Sequence, residues 1–365
     1  MRDRTKPVIA FFGSSLVSAY WNGAATYYRG IIKYLSRLGY QVTFYEPDAY
    51  NRQKNRDISD PDWARVVVYE NSLQAVNKSL ESAANADTIV KASGVGVFDS
   101  YLEKAVLENR RPKQTVIFWD VDAPATLDSV FSDPGSDFKT IIPQYDLILT
   151  YGGGDPVINK YRLLGARECI PIYNALDPET HFPVNADPRF SGDLSFLGNR
   201  LPDREERVKD FFLKVAEKRK EKTFVLGGSG WGDLKLPFNI KYVGHVFSRD
   251  HNAFNCSSTY VLNISRQSMA DNGFSPATRI FEAAGVGACI LTDYWNGIEN
   301  FFIPGKEILV AHNGNEVEYF IDDIGKEEAF EIGLAAKKKV LSDHTYEKRA
   351  DILDKILTGK MVHQY

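Results

Sequence analysis

An arginine and a glutamate three residues apart form the most chemically suggestive pair in the sequence. Arg279 and Glu282 lie in GFSPATRIFEAAGVGACILTD (273–293), which reads as a helix followed at once by a strand. Residues at this spacing share one helix face, and Ser275 before Pro276 predicts an N-cap and a first helical residue. The free amides and dipole of such a helix start attract phosphate. Arg279 could hold a phosphate bidentately, and Glu282 could accept hydrogen bonds from a ribose diol.

The ordinary alternative for this pair is an ion pair within the helix. At a surface, such a pair contributes only about a few tenths of a kcal/mol. The flanking AAGVGACILTD is apolar and predicts a largely buried helix. An unpaired buried charge is costly, so this setting favours ligand binding by Arg279 and Glu282.

The composition indicates a globular protein with more than one domain. The chain has 365 residues, of which 44% are hydrophobic and 25% charged, with a formal net charge of −4. This balance gives no electrostatic reason to expect a nucleic-acid partner. Three scattered cysteines and the lack of a long apolar segment predict a cytoplasmic protein with free thiols.

Short apolar strands alternate with helical segments in both halves of the chain. Near-continuous apolar strands with helical spacers indicate parallel sheets covered on both faces. The predicted fold class is therefore α/β, with two facing Rossmann-like doubly wound domains and a cleft between them. Residues 1–180 are predicted to form an N-terminal domain and residues 190–345 a C-terminal domain. The Pro-rich segment 173–193 links them, and a helix at about 345–365 is expected to pack back on the first domain. The strands are predicted at 8–12, 41–45, 66–69, 87–92, 115–119, 146–151, 168–172, 193–198, 223–228, 240–246, 260–265, 288–293 and 308–313.

A nicotinamide-dependent dehydrogenase is disfavoured in spite of this architecture. The first strand is followed by GSSLVSAYWNG (13–23), whose glycines are ten residues apart. The G-x-G-x-x-G turn that lets a dinucleotide approach a helix start is absent there.

The C-terminal half resembles a known class of enzymes. NISRQSMADNGFSPATRIFEAAGVGACILTDYWNGIENFFIPGKEILVAHN looks like the donor-binding half of two-domain (GT-B fold) glycosyltransferases. The closing KKKVLSDHTYEKRADIL (337–353) is similar to the group named after the spore maturation protein CgeB, and IPIYNALDPETHFPV resembles the interdomain segment of the wider superfamily. The resemblance is strongest from about residue 171 to 353.

The resemblance implies a nucleotide-sugar donor site. Glu282 falls where the family holds the nucleotide ribose, within the Arg-x-Phe-Glu segment. The further donor-binding positions that it implies are Gly198, Asn199, Arg200 and Arg204 near the diphosphate, Gly244 and His245 near the base, and Ser275 and Arg279 on the helix. One departure is that Phe274 stands eight residues before Glu282, where many retaining relatives carry a first glutamate. The stereochemistry of transfer therefore stays open.

An Asp-x-Asp motif in the first half has three readings. In FWDVDAP (118–124), Asp120 or Asp122 could act as the general base that takes the acceptor proton. A structural aspartate before Pro124 is an equally good explanation. Metal binding is less favoured, because the motif is far in sequence from the donor segment and the two-domain class usually replaces the metal with arginines.

Acceptor contacts are predicted from the same half. Lys91 and Ser93 end a neighbouring strand, so we expect them at the same sheet edge. Tyr20, Trp21 and Asn22 lie in the long loop after the first strand, where aromatic faces could stack on sugar rings.

These features predict a metal-independent glycosyltransferase that transfers a hexose-type sugar, with a UDP-sugar favoured as co-substrate and no further cofactor. The acceptor stays open between a glycan, a protein, a lipid and a small molecule, as do peripheral membrane contact and the oligomeric state. One alternative is a non-catalytic sugar-nucleotide-binding module of a surface-glycan system. Another is a sugar-nucleotide epimerase or hydrolase on the same fold.

Overall fold

The computed structural model describes residues 6–20, 22–133 and 135–360, which form two compact units. The N-terminal unit runs to Tyr173 and includes the chain from Tyr346 onward, whereas the C-terminal unit comprises residues 174–345. The start of the proline-rich segment at 173–193 is hydrogen-bonded within the C-terminal unit, where the Leu176 amide donates to the His344 carbonyl at 2.8 Å. No helix of the described residues is long and apolar enough to cross a membrane.

The N-terminal unit is built on a parallel seven-stranded sheet with the order β3-β2-β1-β4-β5-β6-β7. Its strands are β1 Val8–Phe12, β2 Gln41–Pro47, β3 Arg65–Tyr69, β4 Thr88–Ala92, β5 Thr115–Asp120, β6 Leu147–Thr150 and β7 Cys169–Pro171. Its helices are α1 Ala25–Arg37, α2 Leu73–Ala83, α3 Asp99–Glu108, α4 Ala123–Ser132, α5 Asp137–Ile141, α6 Gly154–Leu163 and the closing α14 Tyr346–Leu357.

The C-terminal unit repeats the plan with a parallel six-stranded sheet in the order β10-β9-β8-β11-β12-β13. Its strands are β8 Gly192–Leu197, β9 Phe224–Gly227, β10 Ile240–Gly244, β11 Ser258–Asn263, β12 Cys289–Asp293 and β13 Leu309–Ala311. Its helices are α7 Pro202–Val208, α8 Lys214–Lys218, α9 His251–Cys256, α10 Gln267–Asn272, α11 Thr278–Val286, α12 Gly314–Asp323 and α13 Lys326–Asp343.

These two sheets confirm the predicted fold class of two doubly wound α/β units. Each sheet has a point where neighbouring strands send the chain in opposite directions, between β1 and β4 in the first and between β8 and β11 in the second. In open α/β sheets, ligands bind beside such a point, at the carboxyl ends of the strands. The topology therefore predicts ligand-binding residues in the segments that follow β1, β4, β8 and β11.

Helix α1 shows how the apolar spacing produces the layers. Tyr28, Ile31 and Leu35 recur along one face and are at most 3% exposed. The helix is followed by Gly39, whose φ of 94° suits the left-handed turn that reverses the chain into β2. On the same helix, Gly30 leaves room for the buried ring of Tyr346 in α14, because a Cβ at Gly30 would lie only 2.2–2.5 Å from three ring carbons.

This contact predicts a stability effect. Replacing Gly30 with alanine should lower the free energy of unfolding by about 1–3 kcal/mol, since the buried ring or the helix must shift. Urea denaturation would measure the loss. Gly23→Ala is the matched control, because no atom of the residues that the structure describes lies within 4 Å of a Cβ at Gly23. Equal stability of the Gly30→Ala and Gly23→Ala proteins would contradict the packing argument.

Candidate functional site

The predicted donor-site residues of the C-terminal unit lie in three segments that follow strands of one parallel sheet. Residues 198–204, which include the start of α7, follow β8; Gly244 and His245 end or follow β10; and helix α11 lies between β11 and β12. Because the carboxyl ends of parallel strands meet at one edge, these segments share that edge of the sheet.

Helix α11 begins two residues later than the sequence suggests. Its first residue is Thr278 and Ala277 is the N-cap, with no side-chain cap hydrogen bond. The predicted capping role of Ser275 is therefore wrong. Its Oγ instead donates to the Gly273 carbonyl at 3.0 Å and so stabilises the loop before the helix. Ala277 is extended, with a ψ of 143°, so the helix does not continue back to Pro276.

Arg279 lies on the first turn of α11 with an incompletely bonded guanidinium. Its Nη1 atom is buried and has no hydrogen-bond partner among the described residues. Burial lowers the pKa of Arg279, and the negative charge of Glu282 partly offsets that effect. Among the described residues, Glu282 forms its ion-pair contact with His181 and not with Arg279. The intrahelical ion pair considered as the ordinary alternative is thus not formed.

A second arginine places its charge close to Arg279. Burial, followed by the like charge of Arg279, lowers the pKa of Arg204 to about 10. The Nε atom of Arg204 is also buried without a hydrogen-bond partner, whereas its Nη2 donates to the Asn199 carbonyl. Two neighbouring guanidinium groups with unsatisfied buried N–H groups repel each other, and an anion would relieve both defects. A phosphate has the geometry and charge for this role.

Hydrogen bonds between backbone and side-chain groups hold the loop after β8 in place next to Arg204. The Gly198 carbonyl accepts a hydrogen bond from Trp231 Nε1 at 2.7 Å, and Asn199 Oδ1 accepts from the Ser229 amide at 2.9 Å. A Cβ at Gly198 would lie 2.8 Å from Arg204 Nη2, so glycine leaves space for that guanidinium. Gly198 and Asn199 thus position the loop and Arg204.

Arg200 does not share the unsatisfied state of Arg204. Its guanidinium contacts both carboxylate oxygens of Glu205 at 2.8 and 2.9 Å and reaches Asp233 at 3.0 Å. Two carboxylates compensate its charge, so the predicted role of Arg200 in countering a diphosphate is a poor fit. The side chain instead ties the loop to α7.

The turn at the end of β10 remains a prediction for base recognition. Gly244 has a φ of 69°, and its carbonyl accepts a hydrogen bond from the Gly228 amide at 2.7 Å. His245 is exposed, and its ring meets Phe247 edge-on with centroids 4.7 Å apart.

Two histidines that the sequence analysis missed surround Glu282. His181, His251 and Glu282 each offer a ligand atom within 4.8 Å of the others, and His181 Nε2 lies 3.6 Å from Glu282 Oε1. Burial alone would raise the pKa of Glu282, but His181, Arg279 and His251 together hold it below its ordinary value. Glu282 is therefore a buried, ionised acceptor. The histidines come from distant segments with no diagnostic spacing, so only the fold could associate them.

Two imidazoles and one carboxylate also form a ligand set that suits zinc. This is the one group of three such ligands among residues 6–20, 22–133 and 135–360. However, the charge of Arg279 acts on both His251 and Glu282 and opposes a second cation at this position. A neutral ligand that donates hydrogen bonds to Glu282 fits the local charge better.

In the N-terminal unit, Asp120 is a fully buried structural residue. Its Oδ1 accepts hydrogen bonds from Ser93 Oγ, the Asp122 amide and Thr126 Oγ1 at 2.8–3.0 Å, and its Oδ2 accepts from the Tyr161 hydroxyl at 2.5 Å. Burial raises the pKa of Asp120, although these hydrogen bonds act in the opposite direction. Because a general base must reach its substrate, the catalytic role predicted for Asp120 does not fit, and Ser93 belongs to the same buried network.

Asp122 remains the better candidate for a base. It is partly buried and occupies the N-cap position of α4 without a side-chain cap hydrogen bond. A structural role of Asp122 in the turn before Pro124 stays the alternative to catalysis. Asp120 and Asp122 belong to no three-ligand cluster among the described residues.

The predicted acceptor contact of Lys91 is corrected by its burial. Lys91 is fully buried, with Nζ 2.6 Å from Asp99 Oδ1 and 3.5 Å from Glu103 Oε1. The Lys91 side chain extends to α3, where the carboxylates of Asp99 and Glu103 compensate its charge. Lys91 thus joins β4 to α3 and does not present its ammonium group to solvent.

The loop after β1 divides into a buried and an exposed part. Asn22 is buried, and its amide nitrogen donates to the carbonyls of Ser15 and Ser18 at 2.8 and 3.0 Å. It therefore shapes the loop, and the predicted acceptor contact of Asn22 does not fit. Tyr20 is 44% exposed and stays a candidate, whereas Trp21 lies outside the described residues.

Structural comparison identifies the fold class. The Anabaena protein HepE in complex with UDP and glucose superposes with a TM-score of 0.68, at 12% identity over 97% of this chain and 100% of HepE. Sucrose-phosphate synthase from Thermosynechococcus elongatus gives 0.69 at 12% identity over 97% and 99% of the two chains. An alpha-glucosyltransferase in complex with UDP and a 13-mer DNA gives 0.71 at 11% identity over 97% and 100%. The fold is thus the GT-B fold of two-domain glycosyltransferases.

Sequence comparison adds a more local match. A family model described as "Glycosyl transferase-like" matches residues 204–355, which include Arg204, Arg279 and Glu282. A search of curated protein sequences gives no significant match.

The half-buried position of His251 predicts a pH effect on stability. Burial, and then the charge of Arg279, lowers the pKa of His251 from 6.5 to about 4. Between these values the unfolded chain binds a proton that the folded chain does not, so the free energy of unfolding should fall as the pH falls, with a limiting slope of about 1.4 kcal/mol per pH unit. His251→Gln should flatten this slope, because glutamine does not take up a proton in this pH range. Its amide can still donate to the Val246 carbonyl that His251 contacts at 3.3 Å, so the local structure should be kept. Urea denaturation from pH 7 to 4.5 measures it.

The exposed His245→Gln protein serves as the control and should keep the wild-type slope. If His251→Gln and wild type lose stability in parallel over this pH range, His251 is not the half-buried neutral group inferred from the structure.

Proposed function

We propose that the protein is a glycosyltransferase that transfers a hexose-type sugar from a nucleotide-sugar, most suitably a UDP-sugar, to a hydroxyl-bearing acceptor. The observation that carries the proposal is the pair of under-bonded guanidinium groups of Arg204 and Arg279 beside the ionised Glu282. Positive charge for a diphosphate and a buried carboxylate for a diol are the two features that a nucleotide-sugar requires.

Each donor residue has a separate role in this proposal. Arg279 and Arg204 bind the diphosphate, and Glu282 accepts hydrogen bonds from the ribose hydroxyls. His181 is a positioning residue, because its Nε2 lies 3.6 Å from Glu282 Oε1 and its Nδ1 lies 2.9 Å from Thr180 Oγ1. The match of the glycosyltransferase-like family model over these residues of α7 and α11, and the UDP carried by two structural neighbours, support this arrangement.

The proposed reaction forms a bond from the acceptor oxygen to the anomeric carbon and breaks the bond from that carbon to the diphosphate. Asp122 takes the proton of the acceptor hydroxyl, while the two arginines stabilise the charge that develops on the leaving diphosphate. In this scheme the guanidinium groups do the work that a divalent cation does elsewhere, so we propose metal-independent transfer without a further cofactor. The position of Phe274 eight residues before Glu282 leaves inversion and retention equally open.

We further propose that the protein belongs to the CgeB-like group and acts in the cytoplasm. The support is the HTYEKRA segment at the start of α14 together with the NGFSPATRIFEA segment around α11. A non-catalytic nucleotide-sugar-binding module remains the second candidate. It is favoured by one observation, the complete burial of Asp120, which removes one of the two aspartates of the Asp-x-Asp motif from the candidates for the general base.

The donor assignment predicts a specific loss of nucleotide affinity. Thermal-shift screening with UDP-, GDP- and dTDP-sugars should reveal a stabilising ligand, since binding to the folded state alone raises the melting temperature. For that ligand, Glu282→Ala and Arg279→Ala should each weaken binding by about 1–3 kcal/mol in calorimetric titration, because each removes a charged hydrogen-bond partner.

Arg200→Ala is the matched arginine control, since Glu205 and Asp233 already compensate Arg200; its nucleotide affinity should stay close to wild type. The assignment is wrong if folded Glu282→Ala and Arg279→Ala proteins bind as tightly as wild type. If no nucleotide-sugar stabilises the wild-type protein, the proposed function itself fails.

The base assignment predicts a different pattern. Asp122→Asn should leave donor affinity unchanged and lower the rate of sugar transfer, or of slow donor hydrolysis, by about 10²–10⁴-fold. Nucleotide titration and product analysis by mass spectrometry measure the two quantities. A parallel loss of donor affinity would point instead to a role of Asp122 in donor or metal binding. An unchanged transfer rate would contradict the base assignment. If wild type shows no turnover either, the non-catalytic module is favoured.

A further inference from the structure

We propose that a hollow in the N-terminal unit binds an uncharged sugar ring and is the acceptor subsite of the protein. The hollow is an open surface depression with a volume of about 480 Å³, and this volume is large enough for a small molecule. Its lining includes Asp48, Tyr50, Asn51, Lys54, Asn71 and Val97. The assignment of the bound sugar as the acceptor rests on the proposed function. Sugar binding by the hollow does not depend on it.

The topology places the hollow where a ligand crevice is expected. Its lining follows the carboxyl ends of β2, β3 and β4, which end at Pro47, Tyr69 and Ala92. Strand β1 lies between β2 and β4, and the chain leaves β1 and β4 in opposite directions. The hollow is thus beside the point of the sheet where doubly wound folds bind ligands.

The polar lining matches the hydrogen-bonding character of a sugar. Hydroxyl groups both donate and accept, and the hollow offers the Asp48 carboxylate as acceptor, the Lys54 ammonium group as donor, and the amides of Asn51 and Asn71 as both. One acidic and one basic side chain give the lining no net charge. A nucleotide or another polyanion would need more positive charge than Lys54 alone, so a neutral polyhydroxylated ring is the better ligand.

Tyr50 provides an apolar face that is already held in place. Its side chain is 55% exposed, although its hydroxyl donates to the Gly96 carbonyl at 2.6 Å. Behind the ring, the guanidinium carbon of Arg52 lies 5.1 Å from the ring centroid. Arg52 is buried, and its Nη1 donates to the Ser14 and Val95 carbonyls. A fixed aromatic ring binds a sugar face with little loss of conformational entropy.

Residues with a strained, positive φ are concentrated around the hollow. The described residues include five non-glycine residues with positive φ, and three of them, Tyr50, Asn51 and Phe98, lie in or next to the hollow at 55–57°. Two such residues in succession, one of them a bulky tyrosine, cost conformational energy that persists mainly at functional sites. Gly96 completes the arrangement, because a Cβ there would lie 2.7 Å from the Tyr50 ring.

Saturation-transfer NMR on the full-length protein tests the proposal. The probes are methyl glycosides of glucose, galactose, mannose and N-acetylglucosamine at millimolar concentration. At least one should bind wild type, and Tyr50→Ala and Asn71→Ala should each weaken that binding by about five- to tenfold through loss of the ring face or of an amide contact. Asn71 is exposed and outside the strained turn, so its variant remains informative if Tyr50→Ala does not fold.

Tyr101→Ala is the matched control, because Tyr101 is 37% exposed on α3 and does not line the hollow; its glycoside binding should equal that of wild type. Binding of no glycoside by wild type, or undiminished binding by folded Tyr50→Ala and Asn71→Ala, would overturn the inference. Nucleotide-sugar titration of the same samples separates the two proposals. Nucleotide binding without glycoside binding removes the subsite alone, whereas glycoside binding without nucleotide binding supports the subsite and removes the transferase proposal.

Discussion

Repulsion between two half-buried guanidinium groups governs the charge balance of the candidate site. The charge of Arg279 lowers the pKa of Arg204, and each side chain has a buried N–H group with no hydrogen-bond partner among the described residues. A fold keeps such a defect only if rigid elements hold both side chains, because nearby carboxylates would otherwise pair with them. Here α7 and α11 supply the rigidity, and the nearest carboxylate of α11, Glu282, is engaged with His181 instead. The charge therefore remains available for an anionic ligand.

In both units, the loops at the carboxyl ends of the parallel strands carry the candidate ligand-binding residues, but the charges of these residues differ. In the C-terminal unit, the edge carries positive charge and one ionised carboxylate, which suits a nucleotide diphosphate. In the N-terminal unit, Asp120, Ser93 and Lys91 are used internally to fix the turns after β4 and β5. The hollow around Tyr50 lies at the same edge and has no net charge. A parallel doubly wound sheet thus provides the location, and the loops determine which ligand fits it.

The position and number of the strands were predictable from the sequence. All thirteen predicted strands are present, since apolar runs bounded by glycine, proline and polar residues have few other ways to be buried. The predicted start of α11 was less accurate than the strands. The hydroxyl of Ser275 can form a hydrogen bond in the preceding loop as well as at a helix N-cap. Such local alternatives differ little in free energy, so tertiary contacts decide between them.

The amino-acid sequence was sufficient to predict the α/β class with two doubly wound units and to single out Arg279 and Glu282 as a charged pair in an apolar context. Both conclusions follow from local periodicity and from the cost of burying charge. Which charges are compensated depended on the three-dimensional structure. The fold paired Arg200 with Glu205 and Asp233, buried Lys91 against α3, and brought His181 and His251 to Glu282 from positions far from it in the sequence. Charge compensation depends on distances across the fold, and spacing along the chain does not encode those distances.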